Sequence, residues 1–140
     1  MGKSIRVTGD VILDTSAAVA HLRGVAAVTA RLQAVLRAQQ TLYLPLTAWG
    51  ELLFGAYHAS QPARELANLA EFARVTMRLL PTDHTADHYG RLKQALAVAG
   101  SLISENDIWI AAYALEHGLP LATRDAHFAR VPGLIVQDWS

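Results

Sequence analysis

The 140-residue chain has no cysteine. Disulfides, thiolate metal sites and cysteine nucleophiles are therefore excluded. Long hydrophobic runs are also missing: the longest, Ile108 to Leu115, holds eight residues, far short of a bilayer span. Charge of one sign is missing as well, with twelve basic and twelve acidic side chains. Taken at face value, that balance speaks against a strongly basic nucleic-acid binder. There are no repeats, linkers or low-complexity segments. The start "MGKSIRVTGDVILDT" is basic but carries no cleavable apolar stretch, so no signal peptide is expected. Arg6 stands where a myristoylation pattern needs Ser or Thr. Together these absences suggest a cytoplasmic protein with no membrane association.

What is present is a globular composition, 52% hydrophobic, on a length that suits one domain with a real core. Apolar β-branched runs alternate with amphipathic stretches. "VILDT", "LYLP", "VTMRLL", "LAT" and "LIV" read as strands. Helices are expected from Ser16 to about Leu22, from about Val25 to Ala38, from Leu46 to Ala59, from Pro62 to about Arg74, from Thr85 to Ala99 and from Ile108 to His117. "AHFAR" reads as one helical turn. In the third helix Trp49, Leu52, Leu53, Ala56 and Tyr57 form one apolar stripe. The order predicts an α/β fold, a parallel sheet with helices on both faces. It is read as one domain over residues 1–140, with residues 1–10 preceding the first strand.

Acidic residues fall at telling places on that frame. Asp14 ends the first strand, Asp125 follows "LAT" directly, and Asp107 lies in the first turn of the helix leading into "LAT". In right-handed β-α-β layers helices begin where strands end, so all three are predicted at the ligand-binding edge. Glu51 lies inside a helix with small neighbours, Thr47 and Gly55, one turn away; periodicity does not assign it to that edge. Each acid also has a plain alternative. Asp14, Asp125 and the Ser104–Asp107 pair have cap spacing, and Glu51 could face water. Clustered carboxylates would repel unless a cation neutralised them. All-oxygen donors suit magnesium or manganese, and such ions serve phosphoryl transfer. With four acids neutralised, twelve positive and eight negative charges remain, which is compatible with a polyanionic substrate.

The stretches "ILDTSAAVAHLRG", "ELLFGAYHAS", "NDIWIAAYALEHGLPLATRDAHF" and "VPGLIV", from Ile12 to Val136, resemble the PIN-domain family, and more narrowly its VapC-type toxins. The resemblance implies a parallel sheet flanked by helices. It implies a magnesium- or manganese-dependent endoribonuclease that hydrolyses RNA phosphodiesters with metal-activated water. It maps the metal-binding, catalytic quartet onto Asp14, Glu51, Asp107 and Asp125, with Thr15, Ser16, Asn106 and Thr123 as supporting hydrogen-bond groups. It also implies a homodimer held inactive by a cognate antitoxin protein. The chain departs from the family in "SLISEND", which lacks a frequent proline, and at His127, where many members carry another acid. One ion or two remain open.

Other readings are carried alongside. An inactive PIN-like interaction module, or another metal-dependent phosphodiesterase, would share these residues. His84 and His88 have zinc-compatible spacing on a helix. A metal-free ribonuclease would need a histidine pair, which no spacing supports. Dehalogenase-like phosphatases want an acid where Ser16 stands, and response-regulator receivers want a lysine beyond Lys93. Trp49 and Trp109 read as core residues. Arg23, Arg124 and Arg130 are candidate phosphate contacts.

Overall fold

The computed structural model describes residues 9–140. The N-terminal segment assigned above to residues 1–10, including the stretch tested for a signal and for myristoylation, lies outside the described residues except for Gly9 and Asp10. In chain order the elements are β1 (Val11–Leu13), α1 (Thr15–Leu22), α2 (Ala26–Arg37), β2 (Leu42–Pro45), α3 (Leu46–His58) and α4 (Pro62–Ala73). There follow β3 (Met77–Leu79), α5 (Asp83–Val98), α6 (Glu105–His117), β4 (Leu121–Thr123), a 3-10 turn (Ala126–Arg130) and β5 (Val136–Asp138).

All the strand pairings are parallel, in the order β3-β2-β1-β4-β5. The register sets Val11 beside Leu42 and Ile12 beside both Tyr43 and Leu121. From β1 the chain steps outward through β2 to β3, then returns across the sheet to β4 on the other side of β1. Right-handed crossovers that run in opposite directions lie on opposite faces, so the sheet is covered on both. Helices α1 to α4 pack among themselves, and α5 packs on α6. The reversal puts a topological switch between the carboxyl ends of β1 and β4, where open parallel sheets form a crevice.

The central strands are apolar but for Thr123 because both their faces are covered: Val11, Ile12, Leu13, Leu121 and Ala122 are buried. Helix α6 is apolar nearly all round for the same reason, with Ile108 and Ile110 to Ala114 buried. Trp109 is only half-buried; it stacks on Tyr89 with ring centroids 4.0 Å apart. Trp49 packs against the core from one side and carries the Arg78 guanidinium on its ring at 4.3 Å.

Several element details differ from the expected ones. The buried stripe of α3 is Ala48, Leu52 and Ala56, a four-residue step. Tyr57 falls off it and is 66% exposed. The last strand starts two residues later than "LIV", because Gly133 turns in the left-handed region (φ 78°) and the Leu134 amide bonds back to the Val131 carbonyl. Strand β3 is an edge strand of three residues, shorter than "VTMRLL". Helix α6 begins three residues earlier than Ile108, since the Ser104 hydroxyl caps it.

Candidate active site

Asp14 leaves β1 in extended conformation (φ −84°, ψ 176°) and caps α1. Its carboxylate accepts the Ala17 amide at 2.8 Å, the Ser16 hydroxyl at 2.8 Å to each oxygen, and the Thr123 hydroxyl at 2.5 Å. Capping is therefore real, and it is not the whole role. Asp14 is 2% exposed, deeper than a cap needs to be. Burial pushes its pKa up against the three hydrogen bonds that lower it, and the charge of Asp107 raises it further.

Asp107 is half-buried in the first turn of α6. Its amide is satisfied by the Ser104 hydroxyl at 3.3 Å, so the cap role belongs to Ser104. Burial raises its carboxyl pKa first; the Ser104 hydrogen bond lowers it, the charges of Asp125 and Glu51 raise it, and His127 lowers it. Asp107 thus senses both of those acids, and Asp14 senses Asp107. Glu51, which periodicity could not place, comes to the same edge: the Thr15 hydroxyl donates to its Oε1 at 2.6 Å. The Asp125 amide donates to the Thr123 hydroxyl at 2.9 Å, and its own carboxylate accepts the His127 amide at 2.9 Å.

All four acids line one open cleft of about 560 Å³, together with Thr15 and Ser16. The expected supporting residues divide by position. Thr15 holds Glu51, while Ser16 and Thr123 hold Asp14, with Thr123 buried behind the cleft. Asn106 instead faces an adjoining cleft that shares Thr15 and Glu51. Arg23 and Arg124 line the acid cleft; the Arg130 guanidinium turns to the Leu102 carbonyl at 3.4 Å. One contact went unread in the sequence. The His127 ring nitrogen Nδ1 lies 3.2 Å from the Asp125 carboxylate. The two-residue spacing was its only signal.

The donor set is wholly oxygen, which suits a hard divalent cation. Among the described residues no three histidine, aspartate or glutamate side chains form a ready cage around one point. Magnesium is held by one or two carboxylates with water and substrate phosphate completing its shell, so the arrangement fits that ion and not a rigid all-protein site. The zinc reading for His84 and His88 finds no such group either, and Asp87 is engaged with Arg91 at 3.0 Å.

The family model for the PIN domain matches residues 11–134. The chain belongs to the PIN-domain family. Among curated proteins, this PIN domain is 38% identical over 91 residues to ribonuclease VapC2 of Haemophilus influenzae, covering 64% of this chain and 68% of that one. Among solved structures it is similar to the DNA-bound VapBC of Salmonella typhimurium, with a TM-score of 0.86 and 25% identity over 94% of this chain and 99% of that one. The same fold appears in VapBC2 of Rickettsia felis bound to promoter DNA, with a TM-score of 0.88, 23% identity and the same coverage.

Proposed function

We propose that this PIN domain is a magnesium- or manganese-dependent endoribonuclease and the toxin of a toxin–antitoxin pair. The observation that carries the reading is the convergence of Asp14, Glu51, Asp107 and Asp125 on one cleft at the switch point of the sheet. Relatives named VapC ribonucleases support the reaction class, and similarity to VapBC complexes supports a cognate antitoxin as partner. The family resemblance supports a homodimer in the cytoplasm. Among the described residues no helix is long and apolar enough to cross a membrane.

Each residue has a task in this reading. Asp14, Glu51, Asp107 and Asp125 hold one or two ions, directly or through water. Thr123, Ser16 and the Ala17 amide fix the Asp14 carboxylate, and Thr15 fixes Glu51. The upward shifts of Asp14 and Asp107 come first from burial and then from neighbouring like charge; a cation that neutralises the carboxylates relieves both. When bound, a divalent ion polarises the scissile phosphate and acidifies an attacking water. The acids orient that assembly for in-line hydrolysis, and no single acid is assigned as general base.

Sequencing the RNA ends made by purified protein, with magnesium and then with a chelator, tests the reaction. Ends carrying 5′-phosphate and 3′-hydroxyl, lost on chelation, are expected. Cyclic phosphates, or cleavage indifferent to chelator, would overturn it. Asp14→Asn is expected to lower cleavage by about a hundredfold or more while the protein stays folded. A protein that binds its antitoxin but never cleaves RNA would instead be an inactive interaction module.

A further inference from the structure

The acid cleft is the middle of a longer groove. On one side it opens into a second cleft of about 480 Å³ lined by α1, α3 and α4, with Val19, Arg23 and Glu51 common to both. On the other it meets a third of about 350 Å³ that reaches Asp138 and Ser140, with Arg124 and Asp125 in common. One arginine thus stands at each junction. We propose that Arg23 and Arg124 grip the RNA phosphates on either side of the scissile one, so that a single-stranded tract lies along the three connected clefts.

Four carboxylates line the cleft these arginines share, and an arginine with an acid in reach ordinarily closes a forked ion pair. Neither does so: among the described residues the ion pairs use Arg74, Arg91, Lys93, His117 and His127 as cations. The Arg124 charge reaches Asp138 across the third cleft, yet among the described residues neither arginine closes such a pair, so both keep donors for an incoming anion. The backbone of each is anchored, while both side chains are exposed. The Arg23 amide ends α1 on the Val19 carbonyl at 2.9 Å, before the left-handed Gly24 (φ 81°). The Arg124 amide donates at 3.0 Å to the Ser16 hydroxyl that itself donates to Asp14. The Arg124 backbone is thus tied through Ser16 to the acid that heads the site.

At the two junctions an arginine flanks the central acids, while Arg64 and Glu65 line the second cleft and Asp138 the third. Once a divalent ion offsets the acids, a polyanion finds attraction at both shoulders and the cation in between. A flexible single strand can follow three successive concavities, whereas recognition of a duplex relies on its fixed shape.

The proposal rests on the ribonuclease reading, and one experiment separates the two. Cleavage of a labelled single-stranded oligoribonucleotide is measured with magnesium, over a range of salt, for the parent and for Arg23→Gln, Arg124→Gln and the double variant. Arg37→Gln, at the last position of α2, is the control. Each single change is expected to raise KM about five- to tenfold, leave kcat within about twofold, and reduce the slope of log KM against log salt by about 0.7. Arg→Lys at either site should restore the slope, which distinguishes lost charge from lost structure. Unchanged KM and slope in a parent that cleaves RNA would overturn the arginine assignment alone. So would a fall in kcat with KM constant. A parent that cleaves no RNA would overturn the function and this proposal together.

Discussion

The Thr123 hydroxyl serves two neighbours at once. It donates to the buried Asp14 carboxylate and accepts the Asp125 amide. Valine has nearly the same shape and neither capacity. Thr123→Val should therefore leave that buried carboxylate oxygen with the Ser16 hydroxyl alone and the Asp125 amide without its acceptor, at a cost of about 1–3 kcal/mol, read from urea unfolding of the metal-free protein. An unchanged midpoint would show that Asp14 does not depend on this bond. Asp14, Asp107 and Asp125 were legible in the sequence because each sits beside a strand end or a helix start, whereas Glu51, inside α3, was mapped only by family resemblance. The hydroxyl pairings were legible only through family resemblance, since Thr123 and Asp14 are separated by 109 positions. No local pattern encodes such a contact. Asn106, grouped with the supporters by family resemblance, lines the neighbouring cleft: adjacent positions on a helix point about a third of a turn apart.

Among the elements, α6 delivers Asp107 to the cleft and is held at both ends. Ser104 caps its start, and Gly118 closes it in the left-handed region (φ 64°). Ser104→Ala should cost about 1 kcal/mol of stability. It also removes a hydrogen bond that lowers the Asp107 pKa, so the acid limb of the pH–rate profile should move to higher pH. A limb that stays put would separate Ser104 from the site. Gly118→Ala meets open space, so its effect should be backbone strain alone, about 1–2 kcal/mol in thermal unfolding, with KM unchanged. Helix positions could be read from periodicity and stop signals. The stop of α6 at His117 could be read in this way too, but its start could not be fixed, because cap spacing at Ser104 does not say whether its hydroxyl is left free to cap.

For the whole molecule, two raised carboxyls give a definite pH response. Asp14 and Asp107 bind protons more tightly folded than unfolded. Their contribution to stability is therefore favourable to folding at low pH and is lost as pH rises from the ordinary carboxylate range through the raised values. In chelator, the stability of Asp14→Asn relative to the parent should accordingly improve as pH rises from about 4 to neutrality. On the proposed function magnesium should reverse the effect, since it would bind only the ionised folded site. At a hundredfold excess over its Kd it should add about 2.7 kcal/mol, more at pH 8 than at pH 5, and much less in Asp14→Asn. Equal stabilisation of parent and variant in thermal scans would mean that the ion binds elsewhere.

The sequence alone determined the alternation of strand and helix, the burial of β1, β4 and α6, and the placing of Asp14, Asp107 and Asp125 at one edge. Those follow from short-range facts: apolar runs must be covered, and parallel strands need crossovers of one hand. Only the tertiary structure decided that Glu51 joins them, that Arg23 and Arg124 stand unpaired beside four acids, and that three clefts run together. The direction of one side chain on α3, and the meeting of surfaces from α1, α3, α4 and β4, depend on how helices settle against a shared sheet. That packing is set by contacts between residues far apart in the chain, which no local period records.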